Sequence, residues 1–259
     1  MEKIEHPLLI VGLVNQIAAL IANAFGIHVA DPAKIVPEYI VMSGVVLVII
    51  TALGLVLRSR LSVENPGKLQ IVFEDLVTTV DGMLHEDVGP KGPRYFAIVA
   101  TVGAFILIGN LLSQVPGFGP ATSNINVTLA LALMVWLYYH YQGFKEQGVV
   151  SYLKHFAVPP GVPVALAPLM LPIEIISHFA RIMSLSLRLF GNIFGEHLVV
   201  LIIASLVPFV LPLPIMALGL IIGPLQAFIF MKLTMIYLGG AVATEHAHGD
   251  DTGHVLEAV

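Results

Sequence analysis

The sequence predicts an all-α, polytopic membrane protein with about five membrane-embedded helices and one amphipathic helix at the membrane surface. Three observations carry that prediction. Of the 259 residues, 57% are hydrophobic and only 11% charged, against the roughly 25% charged residues of a soluble domain. No Asp, Glu, Lys or Arg lies between Arg94 and Lys145, between Lys154 and Glu174, or between Glu196 and Lys232, gaps on the scale of the roughly 20 apolar residues that cross a bilayer. Many of the 23 Gly and 17 Pro fall inside apolar runs, which helices tolerate where neighbouring helices or cavities re-satisfy the backbone. The absence of cysteine removes disulfide, thiolate and Cys-metal chemistry. A net charge of -5 argues against a nucleic-acid partner.

The elements follow in chain order. Residues 8 to 30 read as a short amphipathic or surface-lying segment, not a cleaved signal. The first five residues hold Glu2 and Glu5 against Lys3, and Asn15 and Gln16 interrupt the apolar run, whereas a signal peptide wants a basic start and an unbroken core. Ile40 to Leu57 is an uncharged run closed by Arg58 and Arg60, which is how a span meets an interface. Pro66-Gly67 breaks the chain. The apolar positions 69, 72, 73, 76, 77, 80, 83 and 84, opposite Glu74, Asp75, Thr78 and Asp81, then make an amphipathic helix that packs under the bundle. A second span runs from about Tyr95 to Ser113 and stops at Pro116-Gly117-Phe118-Gly119-Pro120, which cannot continue a helix. A third runs from about Val127 to Tyr141, with Trp136, Tyr138, Tyr139 and Tyr141 gathered near one end as an interfacial belt. After Pro159-Pro160, residues 164 to 206 form an apolar stretch too long for one perpendicular helix. It is either one strongly tilted helix or a broken pair. Pro208, Pro212 and Pro214 mark the next turn, and residues 215 to 243 form the last span.

The basic residues Arg58, Arg60, Lys68, Lys91 and Arg94 fall in one loop and Lys145 and Lys154 in another, while the 115 to 126 and 207 to 214 loops hold none. With five membrane segments the positive-inside rule puts the N-terminus outside and the tail inside. Residues 1–35 are then an outer-side segment, 36–244 the membrane domain and 245–259 a flexible His/Asp-rich cytoplasmic tail. Two crossings within 164 to 206 would flip the C-terminus.

Ionisable groups inside spans cost about 2.5 to 3.5 kcal/mol on insertion scales and therefore ask for a role. Arg188 stands near the middle of the long stretch, in Ser184-Leu185-Ser186-Leu187-Arg188-Leu189-Phe190-Gly191-Asn192. One reading is an ion pair with Glu174 or Glu196 that locks the bundle. In a helix, Glu174, Arg181 and Arg188 share one stripe, with Asn192 a further turn on. Glu174 then lies roughly 21 Å to one side of Arg188, and Glu196 with His197 roughly 12 to 14 Å to the other. Neither carboxylate reaches Arg188 within its own helix. The alternative reading is a fixed cation with titratable groups on each side, a layout for two separate aqueous proton paths. Arginine keeps its proton at any accessible pH. It cannot relay a proton, and its field repels one travelling through water. At about 4 Å and an effective dielectric near 20, it favours an ionised carboxylate by roughly 4 kcal/mol. That acid would come from another subunit.

Gln226, mid-span, is a candidate neutral partner for Arg188, with interhelical packing an equal reading. Lys232 takes no role from its position. Asn110, Asn124 and Asn126 are candidates to line a vestibule, with loop capping as good an account of the last two. The tail residues His246, His248, Asp250, Asp251 and His254 are of metal-ligand type but lack a scaffold, so adventitious binding is favoured and no functional metal is expected. No glycine-rich nucleotide loop, HExxH helix or GxSxG elbow is present in the sequence, so bound nucleotide and small-molecule catalysis are not expected.

From about Ile40 to Val242 the chain resembles subunit a of the rotary F-type ATP synthase. The most specific match is Ser186-Leu187-Arg188-Leu189-Phe190-Gly191-Asn192. It is joined by Gln226-Ala227-Phe228-Ile229-Phe230-Met231 with Tyr237-Leu238, Pro66-Gly67-Lys68, and Ser123-Asn124-Ile125-Asn126-Val127-Thr128. The resemblance implies a stator subunit that moves protons through two offset half-channels to and from carboxylates of a rotor c-ring, without cofactor or catalysis of its own. It implies peripheral-stalk b subunits and lipid as further neighbours, and a bacterial inner membrane as location. It makes Arg188 the central cation, places Asn192, Glu196, His197 and Gln226 in the outer half-channel and Glu174 with Arg181 in the inner one, and folds 164 to 206 with the last span into a long tilted hairpin. Family members differ at the positions of His197, Gly219 and Ser113, so Glu196 is a candidate to supply the outer carboxylate. A secondary transporter, expected to repeat its motifs, and a structural anchor pinned by Arg188 are the rival classes; a sodium-conducting form of the same subunit stays open.

Overall fold

The computed structural model describes residues 9–24, 35–115, 118–152, 167–207 and 210–242. The Pro116-Gly117 break, the Pro159-Pro160 loop, Pro208, Lys3, Lys34 and the His-rich tail lie outside the described residues. The described residues are helical apart from short connections: α1 (Leu9–Ala24), α2 (Glu38–Ser59), α3 (Lys68–Val88), a 3-10 turn Gly92–Tyr95, α4 (Phe96–Ser113), a second turn Ala121–Ser123, α5 (Ile125–Gln147), α6 (Ala167–Leu206) and α7 (Pro212–Val242).

The ends of these helices follow from local chemistry. α2 starts after Pro37, whose carbonyl accepts Ile40 N–H at 3.0 Å, and it carries Glu38 in its first turn and Arg58 in its last, both favourable to the macrodipole. Gly67 caps the start of α3, and the left-handed Gly89 (φ 88°) ends it, sending its N–H to the His85 carbonyl. That conformation suits glycine because it carries no Cβ. Asn124 Oδ1 accepts Asn126 N–H at 2.9 Å at the start of α5, so the capping reading of Asn124 holds.

The long apolar stretch is one helix. α6 has 40 residues with Pro172 inside it, about 60 Å at 1.5 Å per residue. Upright, such a helix would be about twice the roughly 30 Å thickness of a hydrocarbon core, so it must tilt or run beyond it. With α7, 31 residues long, it forms the C-terminal hairpin. Among the described residues, α2, residues 92–113, α6 and α7 are long and apolar enough to cross a membrane. α5 (23 residues) is long enough too; His140, Gln142, Lys145 and Glu146 lower the hydropathy of its second half, yet its end returns to the α3–α4 junction, where Glu146 meets Lys91.

α7 is the hub, packed against α3, α4, α5 and α6. Its buried Gly219, Gly223 and Ala227 are spaced four apart and let α4 come close, the device that membrane helices use in place of a hydrophobic drive. Asn110 of α4 fills that approach. Its amide donates to the Gly223 carbonyl at 3.3 Å and its carbonyl accepts from Thr122 Oγ1 at 2.9 Å. It is 1% exposed and both polar atoms of its amide are bonded, so it serves as a structural clasp. Asn110→Leu leaves the Thr122 hydroxyl and the Gly223 carbonyl without these partners, each worth about 1 to 3 kcal/mol when buried. Thermal unfolding of the purified protein in detergent should show a clearly lowered midpoint, with Asn110→Gln in between.

Two further expectations shift. Only Gln70, Val80 and Leu84 of α3 are buried, while Leu69, Val72, Leu76 and Val77 are exposed. Thus only the second half of α3 tucks under the bundle. The aromatic end of α5 is not a uniform belt either: Tyr141 faces out at 62% exposure, but Tyr139 is 2% exposed and points into the bundle.

Candidate functional site

α6 has two faces. His178, Ile182, Leu185, Ser186, Leu189 and Ile193 are buried, a stripe at helical spacing that packs against α5 and α7. On the other face Ser184, Arg188, Gly191 and Asn192 are exposed. Within the described residues Arg188 makes no ion pair or hydrogen bond, so the ion-pair lock with Glu174 or Glu196 is not formed. The flanking Gly191 and Gly195 open onto empty space, leaving room for another helix to approach the guanidinium closely.

Polar groups gather on either side of Arg188. Toward the C-terminal end of α6, Asn192 Nδ2 donates to Gln226 Oε1 of α7 at 2.9 Å. Gln226 is 2% exposed, and its Nε2 has no partner within the described residues, a spare buried donor of the kind that calls for explanation. Gln226 thus meets Asn192 and not Arg188. One turn further, Glu196 Oε1 accepts from Gln114 Nε2 at 2.6 Å, and His197 beside it is partly buried. A Cβ at Gly219 would collide with that same Glu196 oxygen. The place left vacant by a glycine on α7 is therefore taken by the Glu196 carboxylate. Ser113 turns back to its own helix, donating to the Asn110 carbonyl at 2.6 Å.

Toward the N-terminal end of α6 a second cluster forms. Glu174 Oε1 lies 3.3 Å from His178 Nε2, and His178 Nδ1 is 2.9 Å from the Tyr139 hydroxyl. The His140 ring stands edge-on to His178 at 4.8 Å. Arg181 lies over the Tyr237 ring, 5.1 Å from its centroid, a cation–π arrangement that ties α6 to α7. The fold therefore brings Asn192 to Gln226, and Glu196 to Gln114 and Gly219, at one end. It brings Glu174 and Arg181 to aromatic partners at the other and leaves Arg188 between them, facing outward.

Sequence reasoning missed His178, Tyr139 and Gln114. The four-residue spacing of Glu174 and His178 was the available signal for the first; nothing local marks the other two. Lys232 also finds a place: its Nζ donates to Asp87 Oδ1 at 3.0 Å and Oδ2 at 2.8 Å, with Glu86 at 3.7 Å. It pins the end of α3 to α7, where a Cβ at Gly239 would strike the Asp87 carbonyl. At the same end, Lys91 bonds Glu146 of α5.

An all-helical bundle of long apolar helices with a C-terminal hairpin defines a polytopic membrane protein, and it carries an outward arginine that is unpaired among the described residues. Comparison with known proteins makes this specific. Residues 40–239 match the family described as ATP synthase A chain. ATP synthase subunit a 1 of Syntrophotalea carbinolica is 45% identical over 201 residues, 78% of this chain and 84% of that protein. ATP synthase subunit a of Citrifermentans bemidjiense is 40% identical over 243 residues, 94% and 99% of the two chains, and that of Sulfurihydrogenibium sp. is 38% identical over 210 residues, 81% and 99%. The chain belongs to the ATP synthase subunit a family and is a membrane-sector subunit of that complex.

Proposed function

We propose that this chain is the non-catalytic stator part of the proton path of a rotary ATP synthase. Protons reach and leave carboxylates of a rotor c-ring through two offset half-channels in residues 36–244. Asn192, Glu196, His197 and Gln226 serve the outer one, Glu174 and Arg181 the inner one, and Arg188 separates them. The observation that carries this reading is Arg188 itself, exposed, unpaired among the described residues, and flanked by small residues on the outward face of α6. A cation held so in hydrocarbon demands an anionic partner, and none of the described carboxylates supplies one.

A rotor carboxylate arriving protonated would meet Arg188 and lose its proton, because the ionised acid is stabilised beside a permanent cation. Since the guanidinium neither takes up nor gives away a proton, it blocks a direct leak between the two half-channels. About 2.3 kcal/mol per charge per 100 mV drives the cycle. The b subunits of the peripheral stalk and lipid cover other apolar faces of the bundle. With α5 counted as a crossing, the positive-inside rule applied to the basic residues Lys91, Arg94 and Lys145 supports a cytoplasmic Glu174 end and an outside N-terminus.

Because the sequence has no cysteine, single cysteines test this directly. In the whole ATP synthase, in vesicles of known orientation, thiol reagents should reach Glu174→Cys and Arg181→Cys from the cytoplasmic side. They should reach Asn192→Cys and Gln226→Cys from the opposite side, each slowing proton transport. Reaction of all four from one side would defeat the two-channel reading.

A further inference from the structure

We propose that His178 is a positioning residue for Glu174, and that Tyr139 selects the tautomer in which it works. The inference deepens the inner half-channel reading and rests on it. A neutral imidazole has one donor and one acceptor nitrogen, and here the two face different groups. Nε2 lies 3.3 Å from Glu174 Oε1, and Nδ1 lies 2.9 Å from Tyr139 Oη.

An ionised carboxylate only accepts, so the favourable tautomer carries its proton on Nε2, the nitrogen 3.3 Å from Glu174. Nδ1 then offers a lone pair, and the Tyr139 O–H donates to it. The reverse tautomer would turn the Nε2 lone pair toward a carboxylate oxygen. The same logic orients histidines that ligate metals or act as bases, where the group on the far nitrogen decides which nitrogen holds the proton.

The surroundings fix this arrangement. Tyr139 is buried in the α5 face of the core, its ring 4.5 Å from His140 and 6.1 Å from Tyr237. His140 stands edge-on to His178 and hinders the imidazole from swinging aside. Glu174 and His178 share a face of α6 at i and i+4. Glu174 is partly exposed while His178 is buried, so the acid at the edge of the bundle is steadied from behind by a buried ring. An acid that gains and loses a proton each cycle is then kept in one orientation, which is where positional control affects rate.

The experiment uses the complete ATP synthase in liposomes, comparing ATP-driven proton transport of wild type, Glu174→Gln, His178→Ala, His178→Gln and Tyr139→Phe. Alongside it, 15N spectra of complexes with labelled histidine identify the His178 signals by subtracting the spectrum of His178→Gln. The expected wild-type signature is Nε2 protonated and Nδ1 bare, becoming a mixture of tautomers in Tyr139→Phe. His178→Ala should slow transport about tenfold. His178→Gln, whose amide N–H can still reach Glu174, should recover most of the rate, and Tyr139→Phe should lose a few-fold. Transport at the wild-type rate in His178→Ala, a glutamine variant as slow as the alanine one, or an Nδ1-protonated ring in wild type would each overturn the proposal. Wild-type transport in Glu174→Gln would instead remove Glu174 from the proton path. The tautomer and its dependence on Tyr139 would still decide whether His178 is held as proposed.

Discussion

Arg188→Ala should abolish proton-driven ATP synthesis, by at least about a hundredfold, while the complex still assembles. The size follows from electrostatics: a charge pair at about 4 Å and an effective dielectric near 20 is worth roughly 4 kcal/mol, and each 1.4 kcal/mol is about a factor of ten. Assembly should survive because Arg188 contributes nothing to the packing of this chain; its side chain is exposed and bonds to no described residue. Arg188→Lys is the sharper variant. It keeps the charge but loses the planar fork that can hold a carboxylate by two hydrogen bonds, so it should retain under about a tenth of the activity. Synthesis measured in vesicles under an imposed proton gradient, with co-purification of the rotor as the assembly check, decides the matter. Near-normal synthesis in Arg188→Ala would reduce the residue to an anchor.

Gly219→Val should cut proton conduction about tenfold to a hundredfold through Glu196, without Glu196 being touched. The Glu196 carboxylate is held by Gln114 at 2.6 Å in the space that a Cβ at Gly219 would enter. A branched side chain there must push the acid away from Gln114, and a displacement of about 1 Å in a functional group can cost a factor of about a hundred. Passive conduction into vesicles, read by an internal pH dye, should fall to a similar level in Glu196→Ala and in Gly219→Val. The double variant should be little worse than either, since both remove the same interaction. Full additivity would mean that Gly219 acts elsewhere, and unchanged conduction in Gly219→Val would take Glu196 out of the path.

The sequence by itself determined the membrane class, the helices α2 and α4, the amphipathic character of α3, and the shared stripe of Glu174, Arg181 and Arg188 on α6. Each rests on a property carried along the chain: uncharged length, a periodic placement of charge, or the cost of an ionised group in hydrocarbon. Arg188 stands out at that level because nothing within reach on its own helix can neutralise it. The same local logic singled out Glu174, Glu196 and Gln226 as candidates, and indicated that 164 to 206 was too long to stand upright.

Only the tertiary structure decided which face of each helix meets another. In a membrane, lipid-facing and core-facing positions are equally apolar, so hydrophobic periodicity cannot tell Tyr139, turned inward onto His178, from Tyr141, turned outward. Partners distant in sequence were likewise beyond local reading. Lys232 is explained only by Asp87 on α3, Asn110 only by Gly223 and Thr122, and Glu196 only by Gln114 and the missing side chain of Gly219. Each of these is a close approach between helices, set by small residues that permit it. The chain order records the small residues but not what they admit.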